Sequence, residues 1–302
     1  MTAVEAAPLA ARPALARDLL RLVRPGQWAK NLLVVPIVLL DAAWNTHTLT
    51  RLGWAVVVFI LASCLTYVVN DLTDVRRDRL HPVKRTRPIA AGRVPVRLAV
   101  VFVALLATSL VALASVARPV VLWPVLAYLA LNAAYSGALK HVPLVDIFVV
   151  AAGFVLRVAF GYVVLGLAVP GWLVVSVFSL CLLLSLGKRR HELGAGGVEH
   201  RPALRGYTVA FADQLLVFTA AVTAIAFLLY LRDESTVARY GGLAVIESAP
   251  FAFFGLFRYL QGLQLRETGG EPVRALLRDK ALILSTLLWL LGLGAIIVAA
   301  RA

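Results

Sequence analysis

Apolar runs of about 18 to 25 residues recur from one end of this chain to the other, and they constrain the fold more than any other feature. Nine are legible: 31–48, 53–73, 96–117, 119–136, 143–167, 170–187, 211–231, 241–261 and 280–300. At the rise of a helix, each is long enough to cross a hydrocarbon core of roughly 30 Å. Within lipid the backbone must satisfy its own polar groups, and a helix does so inside one segment. With 61% hydrophobic residues and a mean hydropathy of +0.86, the chain exceeds the roughly half-apolar content of a soluble domain. The expectation is an all-α integral membrane protein, a bundle of nine transmembrane helices over 25–302. Residues 1–24 precede it as a tail with a short amphipathic, interfacial segment (Leu15, Leu19, Leu20, Leu22, Val23). No room is left for a soluble catalytic domain, so chemistry must come from helix ends and short loops.

Lys and Arg set the orientation. The segments sharing a side with the N-terminus (1–30, 74–97, 137–142, 188–210 and 262–280, with Arg258) carry 24 of the 30 basic residues. The opposite side carries five, and Arg157 lies within a span. The N-terminus and the long charged loops are therefore expected in the cytoplasm, with the protein in the plasma membrane. A net charge of +14 is explained by this asymmetry and by attraction to anionic lipid, so a nucleic-acid partner is not invoked. Cys64 and Cys181 fall within spans and form no spaced motif, and the five histidines show no paired ligand spacing.

The most chemical stretch is Asn70-Asp71-Leu72-Thr73-Asp74-Val75-Arg76-Arg77-Asp78, at the cytoplasmic end of the second run. Asp71, Asp74 and Asp78 share one helix face by spacing and repel one another unless a cation sits among them. Mg²⁺ suits that demand, because it takes oxygen ligands and bridges a few carboxylates to substrate phosphates. Lys84, Arg85 and Arg87 follow within a dozen residues and suit phosphate. A salt-bridged juxtamembrane loop is the alternative. A second charged cluster, Lys188-Arg189-Arg190-His191-Glu192, begins as the sixth run ends, four spans later, and hints at a duplication with two half-sites. Tyr135 with Lys140, and Lys30 within Arg24-Pro25-Gly26-Gln27-Trp28-Ala29-Lys30-Asn31, lie on the same side and read either as interfacial anchors or as site residues. Arg157 sits about 21 Å into the fifth run by helical rise. An arginine at that depth must face a partner or a wet cavity, so a buried ion pair with Asp146 and a phosphate or headgroup contact both stay open.

These clusters resemble the UbiA-type superfamily of intramembrane prenyltransferases. The likeness lies in Asn70–Asp78, in the downstream Arg85-Thr86-Arg87-Pro88-Ile89-Ala90-Ala91-Gly92, and in a slightly stretched Tyr-x-x-x-Lys pattern at Tyr135 and Lys140. It implies nine helices, a central cavity and Mg²⁺ on Asn70, Asp71, Asp74 and Asp78. Ordinary members carry a second acidic motif after the sixth span, whereas this chain has one acid there, Glu192, among Lys188, Arg189 and Arg190. That departure, with the Arg24–Asn31 start and the Gly153-Phe154-Val155-Leu156-Arg157 run, is similar to a phosphoribosyltransferase branch of the superfamily. The resemblance implies transfer of 5-phosphoribose from phosphoribosyl diphosphate (PRPP) to a polyprenyl (decaprenyl) phosphate, for a cell-wall arabinan precursor. The nucleophile would be a phosphate oxygen, ionised at neutral pH, so no general base is demanded. Asn70 and the aspartates would hold metal and diphosphate, Arg85 and Arg87 the diphosphate or ribose, and Lys188, Arg189 and Arg190 the 5-phosphate or acceptor phosphate. Lys30, Lys84, Tyr135, Lys140, Arg157 and Glu192 would be further contacts. A prenyltransferase acting on an aromatic or haem acceptor is the alternative, and a phosphorylated-lipid transporter a second one. Homo-oligomerisation is left open.

Overall fold

The structure, a computed structural model, describes residues 12–35, 45–194, 202–233, 237, 242–265, 276 and 278–299. Ten helices organise these residues: α1 (Arg12–Leu22), α2 (Thr46–Thr73), α3 (Val75–Leu80), α4 (Val96–Ala114), α5 (Trp123–Gly137), α6 (Val145–Leu165), α7 (Gly171–Gly194), α8 (Val209–Leu231), α9 (Gly242–Leu265) and α10 (Lys280–Ala299). No strand occurs among the described residues. Among the described residues six segments are long and apolar enough to cross a membrane: Thr46–Thr73, Val96–Ala114, Pro119–Gly137, Val145–Leu165, Gly171–Gly194 and Val209–Leu231. The eighth and ninth apolar runs form α9, which contains Pro250, and α10. Of the first run, residues 31–34 end a 3₁₀ helix (Pro25–Val34), and 36–44 lie outside the described residues.

Local chemistry sets the helix ends. The Asn45 side chain accepts from Thr48 N–H at 2.8 Å and starts α2. The Thr208 hydroxyl accepts from Phe211 N–H at 3.1 Å and starts α8. The Asp279 carboxylate accepts from Ala281 and Leu282 N–H ahead of α10. Each satisfies donors that the first helical turn leaves without partners. Gly166 adopts φ 73 after α6, a left-handed stop that a residue with a Cβ resists.

The chain divides into two compact units. The first holds residues up to Gly137 together with Leu156–Leu167, the second half of α6. Here α2 packs on α4, α5, α1 and the 25–34 segment. Val34, Ala55, Val58, Phe59, Ala62, Val125, Tyr128 and Phe160 form one buried cluster. Leu22, Val23, Cys64, Val68, Ile89, Val94 and Ala99 form another, so the segment expected to be interfacial buries the end of α1 within this unit.

The second unit holds Ala138–Val155, the first half of α6, and everything from Ala168 onward. In it α7 packs along α8, and α9 packs on α8 and α10. Ile147, Leu183, Leu186, Tyr207, Leu216, Tyr259 and Leu263 form its core. In both units large apolar side chains also point outward, among them Val101, Leu105 and Val111 on α4 and Val217, Phe218 and Ile225 on α8. Hydrocarbon would solvate such faces, whereas water would not.

Candidate active site

In the first unit the polar residues gather where α2 ends. The expected single helical face is interrupted, because Asp74 (φ −92, ψ 0) closes α2 and opens the short α3. Asp71 stands on the last turn of α2 and Asp78 on α3, and both are buried, at 3% and 2% exposure. They still meet, because Arg87 Nη1 lies 2.9 Å from Asp71 Oδ1 and 2.7 Å from Asp78 Oδ2. Arg24 Nη2 donates to the same Asp71 oxygen at 2.5 Å. Arg24 holds a left-handed backbone (φ 49, ψ 64), and its guanidinium carbon lies 5.0 Å from the centroid of the Tyr67 ring. That stacking is a cation–π contact. Asn70 Oδ1 accepts from Ser136 Oγ at 3.1 Å, which ties the motif to the end of α5.

The loop that brings in Arg87 is itself held. His81 Nδ1 accepts from the Val83 and Lys84 amides, and Arg93 donates to Thr86 O and to Asp18 Oδ2 on α1. The Arg93 guanidinium beside Asp18 holds that carboxyl below the usual carboxylate range. Arg85 points to the exterior, while Lys84, Lys30 and Tyr135 are half-buried.

Among the described residues no three His, Cys, Asp or Glu side chains converge as a metal cluster. Of the three aspartates expected to converge, Asp71 and Asp78 are joined through Arg87. That pair fits Mg²⁺ all the same. Its donors are hard oxygens, and Mg²⁺ characteristically takes one or two carboxylates and completes its shell with substrate phosphates and water.

Arg157 forms a second constellation in the same unit. It is 5% exposed, and its Nε donates to Asn31 Oδ1 at 2.9 Å. Its Nη2 lies 3.2 Å from Tyr128 Oη and 3.3 Å from Ser63 Oγ, and the guanidinium packs over the Phe59 and Tyr128 rings. Asn31 Oδ1 also accepts from Ser63 Oγ, so the amide orientation is set, and the buried Asn31 Nδ2 has no hydrogen-bond partner among the described residues. These partners are neutral. Asp146, the acid of the ion-pair alternative for Arg157, belongs to the second unit and pairs with Arg189.

In the second charged cluster, on the last turns of α7, both arginines lie against carboxylates. Arg189, 4% exposed, has Nε 3.0 Å from Asp146 Oδ2 and is also paired with Glu192. Arg190 places Nε 2.5 Å from Asp213 Oδ1 on α8 and donates to Gln264 Oε1 and Leu263 O on α9. Lys188 has a half-exposed side chain, its Nζ 4.0 Å from Glu192 Oε1. A guanidinium that leaves water gains most from a carboxylate beside it, which is why both arginines turn to acids on neighbouring helices. Lys140 sits on the 3₁₀ turn Leu139–His141 that leads into α6.

Several residues at these sites carried no signal in one dimension. Tyr67, Ser63 and Tyr128 are unremarkable members of apolar runs. Asp213 answers Arg190 from 23 positions away, and Tyr207 reaches Asp146 across 61 positions. Arg24 was legible only as part of a basic lead-in, although the Pro25-Gly26 turn after it marks a change of chain direction.

The sequence model of the UbiA prenyltransferase family matches residues 32–275. The chain is 35% identical to a decaprenyl-phosphate phosphoribosyltransferase from Corynebacterium glutamicum, over 91% of this chain and 85% of that one. It is 32% identical to the protein of the same name from Mycobacterium tuberculosis, over 93% and 94% respectively. Among solved structures, a UbiA homolog from Archaeoglobus fulgidus bound to DMAPP and Mg²⁺ superposes with a TM-score of 0.67 at 19% identity, covering 93% of this chain and 99% of that one. A digeranylgeranylglyceryl phosphate synthase gives 0.67 at 17% identity, over 94% and 99%. The last two likenesses concern the fold. Together with the six apolar helices, the family match places this chain among multi-pass membrane proteins. It belongs to the UbiA prenyltransferase family.

Proposed function

We propose that the protein transfers 5-phosphoribose from PRPP to a polyprenyl phosphate, releasing diphosphate, as a step towards a cell-wall arabinan precursor. The observation that carries this reading is the similarity, nearly end to end on both sides, to relatives named decaprenyl-phosphate phosphoribosyltransferase. We further propose nine spans, a plasma-membrane location, and a site and N-terminus on the cytoplasmic side, as the distribution of Lys and Arg supports.

The reaction asks mainly for positioning and charge. Asp71 and Asp78 would hold Mg²⁺, with Asp74 and the Asn70 amide oxygen beside them. Bound there, the ion would neutralise the leaving diphosphate. Arg87 and Arg24, already aimed at Asp71, would offer guanidinium forks to a diphosphate held through the ion on these carboxylates. Lys84 and the exposed Arg85 extend that basic rim. The acceptor's phosphate oxygen attacks ribose C1 as the bond from C1 to diphosphate oxygen breaks. No proton has to be removed from the nucleophile. Lys188 is the member of the second cluster that we assign to a phosphate, since Arg189 and Arg190 already lie against carboxylates. Lys140, Lys30 and Tyr135 are assigned as further polar contacts, and Arg157 as a cation within the span.

The test is direct incubation of purified protein with PRPP, Mg²⁺ and a short polyprenyl phosphate. Diphosphate and a phosphoribosylated lipid are expected in equal amounts. No product from PRPP, with turnover of a prenyl diphosphate and an aromatic acid instead, would replace this reading with prenyl transfer.

A further inference from the structure

Leu144 has a left-handed backbone, φ 65, a conformation unfavourable for any residue with a Cβ. It closes the short connection, residues 138–144, that carries Lys140 and leads into α6. Such a conformation persists only where its surroundings hold it.

Here they do so through buried polar groups. The Leu144 N–H donates to Tyr207 Oη at 2.9 Å. The Tyr207 hydroxyl in turn donates to Asp146 Oδ1 at 3.3 Å. Asp146 has no exposed surface, and its Oδ2 lies 3.0 Å from Arg189 Nε. The Tyr207 phenol is pushed up to about 12, by burial first and then by the Asp146 charge, so its proton stays in place to be donated. On the same connection, Gly206 abuts Pro143 so closely that a Cβ on it would fall 2.4 Å from Pro143 Cβ. The segment 202–207 and the connection 138–144 are thus pressed together and hydrogen-bonded through one tyrosine. Among the described residues Arg189 Nε makes no hydrogen bond, so its link to Asp146 is an ion pair by proximity, and the hydrogen-bonded part of the chain runs from Asp146 through Tyr207 to the Leu144 amide.

We infer that Arg189, Asp146 and Tyr207 are positioning residues, a buried relay from the charged end of α7 to the Leu144 amide that holds the 138–144 connection, and Lys140 with it, in one geometry. The inference gives Arg189 a role other than phosphate binding and rests on the reading of Lys140 as a substrate contact. The cluster at the end of α7 then divides its labour. Lys188 faces outward, Arg189 orders the connection before α6, and Arg190 fastens α8 and α9.

The test uses the full chain in lipid nanodiscs. Tyr207→Phe removes the hydroxyl and keeps the ring in its apolar seat. Asp146→Asn removes the charge and keeps the shape. Tryptic cleavage after Lys140, followed by mass spectrometry, reads opening of the connection. Cleavage after Arg79, exposed on α3, serves as the reference. Loss of one relay hydrogen bond is expected to raise the cleavage rate after Lys140 about five- to tenfold, with the Arg79 site unchanged. The KM for PRPP should rise more than kcat falls. An unchanged rate after Lys140 in both variants overturns the relay, and so does equal acceleration at both sites. Faster cleavage after Lys140 with unaltered KM upholds the relay and refutes the substrate role of Lys140 instead.

Discussion

Arg87→Ala isolates the electrostatics of the acidic site. Arg87 Nη1 is within 2.9 Å of one buried carboxylate and 2.7 Å of another. At an effective dielectric of about 20, each pair is worth roughly 6 kcal/mol of gross Coulomb attraction. Desolvation and the mutual repulsion of Asp71 and Asp78 oppose that, and the Arg87 side chain is 26% exposed, so solvent screens part of it. Breaking a buried pair costs about 3–5 kcal/mol, and the partial exposure brings the expectation to about 2–3 kcal/mol. Arg24 remains on Asp71 and limits the loss further. A divalent ion on the same two carboxylates should restore the balance. At a concentration of about 100 times its Kd, ligand binding adds roughly 2.7 kcal/mol, close to what the substitution removes. The assay is thermal unfolding in detergent or nanodiscs, with EDTA and with Mg²⁺. In EDTA the variant should melt several degrees below the parent protein. Mg²⁺ should raise the variant's Tm more than the parent's, because only Arg24, on Asp71 Oδ1, still competes with the ion and the Asp78 oxygen is released. Equal Mg²⁺ shifts in both proteins, or no shift in the variant, would refute the assignment of Asp71 and Asp78 as the metal-binding pair.

Asp71→Ala and Asp74→Ala should each lower kcat by at least about a hundredfold while the helical circular dichroism spectrum is retained. A near-normal rate in either variant removes that residue from the metal site. Arg157→Met leaves Asn31, Ser63 and Tyr128 without their shared donor, and loss of such a buried network should cost about 3 kcal/mol or more, read as a lowered Tm. Arg157→Lys should recover only part of that loss, since one ammonium cannot reproduce the guanidinium fork. Asp18 has a folded-state pKa held below its unfolded value, chiefly by Arg93. Its contribution is therefore present above the unfolded value, near pH 4, and is lost as pH falls through the folded one. The Tm gap between Asp18→Asn and the parent protein should be full at neutral pH and close in that acidic window.

Much of the fold was legible in one dimension, for a plain reason. A span through lipid needs a long apolar run, and most of the runs in this chain map onto helices within a few residues. The second run was read as starting at 53, whereas α2 begins at Thr46, because Asn45 caps it and Thr46, His47 and Thr48 are polar yet helical. The stretch Asn70–Asp78 stands out in the sequence as a candidate site, since three acids at a helix end demand a cation. Its shape was less legible. Spacing alone placed all three aspartates on one helical face, but the helix breaks at Asp74, and the two buried acids meet through a guanidinium from a different loop.

The cationic clusters diverged further from expectation. Lys188-Arg189-Arg190 reads as a bare positive patch because its partners, Asp146, Asp213 and Glu192, are scattered over three helices. Arg157 likewise shares a helix with Asp146, yet each belongs to a different compact unit and finds a different partner.

What this sequence determined by itself was the solvent of each segment. Its hydropathy says which residues seek lipid, and its basic asymmetry sets the expectation of which ends face the cytoplasm. Pairing was decided only in three dimensions. Transfer free energy is a property of one residue in its medium and can be summed along a chain. An ion pair depends on the separation of two groups, and that separation is set by how helices dozens of residues apart come to lie against each other.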